Sequence, residues 1–160
     1  MKENGMFEKC IRLLEERGVH IQDIVDCVIY LQKNHLQGIS EQEIRDAVIN
    51  VIGKREVQHA IITGVCLDKM SEEHVLCDKE LEDILNQDES LYGIDEVLAY
   101  GICNLYGSIA LTNYGFIDRD KFGIIEKLND DIAHCHVFLD DIVGAIAASA
   151  ASRLAHGSGR

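Results

Sequence analysis

Two acidic doublets carry the clearest chemical potential in this sequence. Asp140 and Asp141 head a run of eleven residues without charge, Ile142 to Ser152. Asp95 and Glu96 head a longer one, 21 uncharged residues from Val97 to Ile117. A carboxylate in the first turn of a helix caps backbone N–H groups and complements the helix dipole, a gain of about 0.5–1 kcal/mol. That explains one aspartate per helix comfortably. It explains less well the surroundings of the second doublet. Leu139, Ile142, Val143, Ile146, Ala147, Ala150 and Leu154 share one face of a helical wheel, with Asp140 at its edge, while Asp141 points toward Ala145, Ala148 and Ser152. Those small residues admit a neighbouring helix, so both sides of the helix are expected to pack and at least one carboxylate to be buried. Buried carboxylates are costly unless paired or bound to a cation. Four of them meeting in a dry site require cations, and an all-oxygen donor set suits Mg²⁺ or Mn²⁺. From the residues alone, a metal site and two ordinary helix starts both remain open.

The elements that position these doublets read as helices throughout. Residues 6–17 repeat apolar positions at helical spacing and stop at Gly18, a C′ candidate. Ile21, Ile24, Val25, Val28 and Leu31 form the stripe of a second helix near 21–33. Ser40 and Glu43 make a capping box for a third, which Gly53 interrupts; "KREVQHAIITGVCLDKM" continues as a fourth. A short helix is expected near 78–86, then a loop in "NQDESLYG". The 97–117 run could span a bilayer by length. With Asn104, Asn113, three Tyr, three Gly, Ser108 and Thr112 it reads instead as one buried central helix of a bundle. A further helix is expected near 121–130, followed by "DIAHCH" as a loop into the last helix. The expected fold is therefore all-α, a compact single-domain bundle of about 7–8 helices with a central apolar helix, over residues 1–156. Residues 157–160 read as a tail.

Bulk properties agree. The chain of 160 residues has no proline, where average usage gives roughly eight. Its formal charge of -13 argues against nucleic-acid binding and against attraction to anionic lipid. An anionic substrate would need local positive charge from Lys, Arg or a metal. Six scattered cysteines without a CxxC predict reduced thiols in a cytoplasmic protein, and no signal peptide is visible.

Three blocks carry a family resemblance: "YGIDEVLAYGI", "NYGFIDRDKFGIIEKL" and "VFLDDIVGAIAA". In order and spacing they resemble the acidic blocks of the phosphatidylglycerophosphatase A family, over roughly residues 40–156, and "KREVQHAIITGVCLDKM" is similar to a soluble bacterial branch of it. The resemblance implies a Mg²⁺-dependent phosphatase acting on the phosphomonoester of a lipid head group. By position, Asp95, Glu96, Asp140 and Asp141 would hold one or two Mg²⁺ ions, with Mn²⁺ or iron as alternatives. Asp118 would be a further ligand or orient a water, and Asp141 would share in the catalysis. Lys121 would bind and stabilise the phosphoryl oxygens. Arg55 would do the same if its helix faces the site. Phe122 stands where the family usually has proline, and the apolar spans of membrane-bound members are missing. A related branch acts on a soluble monoester, α-ribazole phosphate. The substrate expected is thus a phosphorylated lipid, reached by peripheral membrane contact, or a small soluble phosphomonoester.

Other chemistries compete on residue grounds. Glu56 and His59 form a Glu-x-x-His, of the kind carboxylate-bridged di-iron bundles use twice. Asp131 and His134 are a weaker second copy near a loop. His134-Cys135-His136 offers soft ligands without a partner cluster and reads as loop. The Asp118-Arg119-Asp120 triplet lacks the α/β surroundings of aspartyl-phosphate enzymes; no cysteine has Cys-x5-Arg spacing, and no P-loop is present. A non-catalytic helical module is the remaining alternative, with the Ala/Ser/Gly-rich last helix as the interface of a homo-oligomer.

Overall fold

The computed structural model describes residues 2–35 and 37–157. Among these there are nine helices and no strand: α1 (Lys2–Glu16), α2 (Ile21–Gln32), α3 (Glu41–Ile52), α4 (Arg55–Glu72), α5 (Lys79–Asn86), α6 (Ile94–Cys103), α7 (Ser108–Arg119), α8 (Ile124–Asp130) and α9 (Leu139–Gly157). Local chemistry sets most of the boundaries. Gly18 takes the left-handed φ of +84° that ends α1. The Ser40 hydroxyl accepts the Glu43 N–H while Glu43 returns a bond to the Ser40 N–H, closing the expected capping box on α3. Asp78 caps α5 through the N–H of Leu81. Of the expected tail, Gly157 is the last residue of α9, and 158–160 lie outside the described residues.

The axis of the bundle is α9. Every residue from Leu139 to Ser152 is buried, and the helix packs against α2, α3, α4, α6, α7 and α8. A helix that is apolar all round belongs in a core. Its alanines and glycine let six neighbours approach at once. The tightest approach is on α4, where a Cβ on Gly64 would lie 3.0 Å from the Phe138 Cβ and inside contact distance of Ile142. Because α9 is enclosed by its own chain, it cannot be the subunit interface expected from its small residues.

The 97–117 run is not one buried central helix. The chain turns at residues 104–107 and splits it into α6 and α7. Gly107 adopts a φ of +92°, open to glycine and strained for other residues, and its N–H bonds to the Cys103 carbonyl. Only one side of each half faces α9. Val97, Tyr100, Ile109, Leu111 and Phe116 remain exposed. This split accounts for nine helices where eight were read. Asp118 lies on the last turn of α7, and α8 starts three residues later than expected. None of the helices is long and apolar enough to cross a membrane, among the described residues.

Candidate active site

Both acidic doublets are built the same way. Asp95 and Glu96 occupy the first turn of α6, after Gly93 at φ +75°; the Asp95 carboxylate accepts the N–H of Glu96 at 2.9 Å. Asp140 and Asp141 occupy the first turn of α9, and the Asp140 carboxylate accepts the N–H of Asp141 at 2.8 Å. The first acid of each pair thus satisfies a helix-start donor, as capping requires. Asp141, the second acid of its pair, reaches Asp95 of the other doublet and Asp118.

The two pairs meet. A cavity of about 530 Å³ is lined by Asp95, Glu96, Asp118, Lys121, Asp140 and Asp141, together with Asp88, Asn129 and the loop residues 89–93. Lys121 is the only cation in that lining. Its Nζ lies 3.4 Å from Asp118 Oδ1 and 3.6 Å from Asp140 Oδ2. Burial alone would lower the Lys121 pKa, but Asp140, Asp118 and Asp141 outweigh it and hold the ammonium charged. The α9 doublet is the deeper one, Asp140 being 8% and Asp141 5% exposed. Burial first, then the neighbouring carboxylates, push the Asp141 carboxyl well above the usual range; burial does the same to Asp140 against the pull of Lys121. Glu96 is raised by burial, then by Asp118 and Asp95. The Tyr114 hydroxyl is buried beside the same carboxylates: its pKa is raised by burial, then by the charges of Asp141 and Asp118, and Asp141 is within hydrogen-bonding reach of it. Seven acidic side chains against one ammonium, with only oxygen donors among them, fit a hard divalent ion such as Mg²⁺ or Mn²⁺ at this place.

A residue that the sequence reading missed holds the α9 doublet in position. Asp68, wholly buried on α4, accepts the N–H of Phe138 with one carboxylate oxygen and that of Leu139 with the other, both at 3.0 Å. Burial nevertheless raises its pKa to about 7. The signal was present: Asp68 follows Ile61, Gly64 and Val65 by seven, four and three residues, so it continues a buried stripe. A lone acid on such a stripe needs donors.

Three expected residues are not brought here. Arg55, Glu56 and His59 are exposed in the first turns of α4 and do not line the cavity. Arg55 lies thirteen residues before Asp68 on the same helix, about 20 Å at 1.5 Å per residue. The start of α4 is thus a helix length away from the end that meets the acids.

The acidic constellation has relatives. A model of the family described as phosphatidylglycerophosphatase A matches residues 16–156, more of the chain than the three blocks suggest. The chain belongs to that family. It is 50% identical over 161 residues to the uncharacterized protein YutG of Bacillus subtilis (strain 168), covering 98% of this chain and 96% of that one. The uncharacterized protein YpjQ of the same organism is 43% identical over 153 residues, covering 96% and 86%. Among solved structures, the low temperature requirement C protein from Listeria monocytogenes superposes with a TM-score of 0.93 at 50% identity, covering 97% of this chain and 98% of that chain. A protein of unknown function from Bacillus stearothermophilus gives a TM-score of 0.91 at 51% identity, covering 95% and 94%. Family membership gives the chain a phosphatase-related domain; these relatives' descriptions name no metal and no substrate.

Proposed function

We propose that this chain is a divalent-metal-dependent phosphomonoester hydrolase whose substrate is a phosphorylated lipid head group of the phosphatidylglycerophosphate type. The observation that carries the reading is the meeting of three acidic blocks, far apart in sequence, around one cation in one cavity.

Each residue has a role in that reading. Asp95, Glu96, Asp140 and Asp141 would hold Mg²⁺, with Mn²⁺ as the alternative. The bound ion supplies charge neutralisation and a water of lowered pKa. Lys121, kept protonated by its acidic neighbours, binds a phosphoryl oxygen and stabilises the charge that grows there. Asp118, tied to Lys121, orients the attacking water and accepts its proton. Asp141, the less exposed acid of the α9 doublet, lies beside the Tyr114 hydroxyl and shares in positioning the reacting water. The water oxygen bonds to phosphorus as its proton passes to Asp118, the bond from phosphorus to the ester oxygen breaks, and Asp118 returns that proton to the leaving oxygen, so that inorganic phosphate and an alcohol leave.

The cavity rim supports a lipid. Leu91 lines the opening and is fully exposed, and Ile94 and Val97 are exposed on the adjoining helix. A peripheral contact of this apolar rim with a membrane would present the head group, and the same surface of α6 and α7 is where a second copy would pack if the chain is a homo-oligomer. A soluble monoester such as α-ribazole phosphate is the second reading, favoured by the charge of -13, which repels anionic lipid surfaces. The free buried thiols of Cys10, Cys27, Cys103 and Cys135 support a cytoplasmic setting for either. Phosphate release from lipid and soluble phosphomonoesters with Mg²⁺ tests the reading. Turnover of the lipid over the soluble esters supports it; no Mg²⁺-dependent turnover of any phosphomonoester would overturn it.

A further inference from the structure

A second group of ligand atoms lies outside the acidic cavity, on the segment that joins α8 to α9. Asp131, His134 and His136 each offer one atom, and all three atoms lie within 4.8 Å of one another. His134 Nδ1 and His136 Nε2 are both 2.9 Å from the same oxygen, Asp131 Oδ2. In a tetrahedral site with bonds of about 2.0–2.1 Å, ligand atoms sit about 3.3–3.4 Å apart. A modest spreading of these three side chains therefore makes room for an ion. The neighbourhood also has the mixture of anchoring and access that a site needs. His136 is buried, Asp131 is partly exposed and His134 is half exposed, which opens one side to solvent.

We propose that Asp131, His134 and His136 form a second metal site, for a zinc-class divalent ion, that pins the α8–α9 segment in place. Two imidazoles and one carboxylate are a donor set for Zn²⁺, Co²⁺ or Fe²⁺ and a poor one for Mg²⁺, so the site differs in metal preference from the all-oxygen cavity. With three protein ligands, the fourth position falls to water. Arg17 anchors the segment from behind: its guanidinium donates to Glu72 at 2.6 Å and to the Cys135 carbonyl at 2.7 Å, and lies 3.3 Å from His136 Nδ1. In the metal-free chain, His136 carries its proton on Nε2, where Asp131 accepts it. An ion at Nε2 moves that proton to Nδ1 and lengthens the 3.3 Å contact, while the two shorter Arg17 bonds hold the segment. The site lies three residues before Leu139, and Asp88 and Asn129 line both this region and the acidic cavity. An ion here would brace the approach to Asp140 and Asp141 without touching the phosphate.

The proposal stands apart from the phosphatase reading and is tested without substrate. Purified, chelator-treated protein is titrated with Co²⁺ and followed by its visible d–d absorption, then back-titrated with Zn²⁺ and with Mg²⁺. The expected result is one Co²⁺ band that Zn²⁺ abolishes and millimolar Mg²⁺ leaves. Asp141→Asn should keep the band. His134→Ala and Asp131→Asn, both at solvent-accessible positions and checked for folding by circular dichroism, should weaken Co²⁺ binding at least about 10-fold. Absence of the band in the unaltered chain would overturn the proposal. So would a band that survives both of these substitutions, or one that only Asp141→Asn removes.

Discussion

Lys121 Nζ lies 3.6 Å from Asp140 Oδ2, joining the α7–α8 loop to the head of α9 across the candidate active site. The contact sets the loop's one cation against the most buried doublet, where it pulls the Asp140 pKa down against the burial that raises it. A bound phosphate would compete with Asp140 for this ammonium. Lys121→Gln should lower kcat/KM by about 100-fold, as loss of one donor to a developing oxyanion does, with the helical content unchanged. Steady-state kinetics beside circular dichroism checks this. Activity within a few-fold of the unaltered chain would remove Lys121 from the phosphoryl site.

Acid should stabilise the metal-free protein. Asp68 has its pKa raised from 3.8 to about 7, and Glu96, Asp140 and Asp141 are also held above the usual range, in each case chiefly by burial. The folded chain therefore binds these protons more tightly than the unfolded chain. Their contribution is fully present below the unfolded pKa and is lost as pH rises through the folded values. Glu72, Glu82 and Asp131 are shifted down, with their effect in a lower window; His136, shifted down by burial, works the other way within the window but is one group against several. The Tm of chelated protein should fall between about pH 5 and about pH 7.5. Mg²⁺ should restore it most at the upper end, where the carboxylates are ionised. A Tm that climbs across this range without metal would contradict the account of the buried acids.

Asp68 should matter for stability, through the two N–H groups it accepts at the head of α9. Asp68→Ala leaves the N–H groups of Phe138 and Leu139 buried without acceptors, a cost of about 1–3 kcal/mol for an unsatisfied buried group. Asp68→Asn keeps one acceptor oxygen and should cost less. Urea unfolding gives the order, and Asp68→Ala losing no stability would show that another group caps α9.

Gly64 is where α4 and α9 touch backbone to side chain. In Gly64→Ala the new methyl meets the Phe138 Cβ at 3.0 Å and Ile142 closer still. Overpacking of this kind costs typically about 1–3 kcal/mol. Since Phe138 and Ile142 flank the Asp140–Asp141 doublet, the same change should also weaken Mg²⁺ affinity. Thermal melting with and without Mg²⁺ reads both effects.

Much of this architecture was legible where local chemistry decides. The Ser40–Glu43 box, Gly18 and the apolar run after Asp141 each fix a boundary through a donor, a dihedral or a solvation preference that the residue types state outright. The 97–117 run was not legible, because composition says that a segment is apolar but not where it turns; Gly107 was one of three glycines in it, and only the packing of both halves on α9 selects the break. The site divides along the same line. Asp95, Glu96, Asp118, Lys121, Asp140 and Asp141 were named from their blocks, and the fold gathers them. Glu56 and His59 were named from their spacing, and Arg55 as a second cation should its helix face the site; helix length carries all three away. The grouping of Asp131 with His134 and His136 depended on how a loop folds back, which no periodicity records.

The most direct test of the central claim compares phosphate release by the unaltered chain with that by Asp141→Asn and Asp140→Asn, each with Mg²⁺ and with chelator. The account predicts turnover of a phosphomonoester that needs the ion and falls by at least about 100-fold in either variant, since even outer residues around a metal typically cost 10–100-fold. Turnover that persists in chelator, or that both variants retain in full, would contradict it.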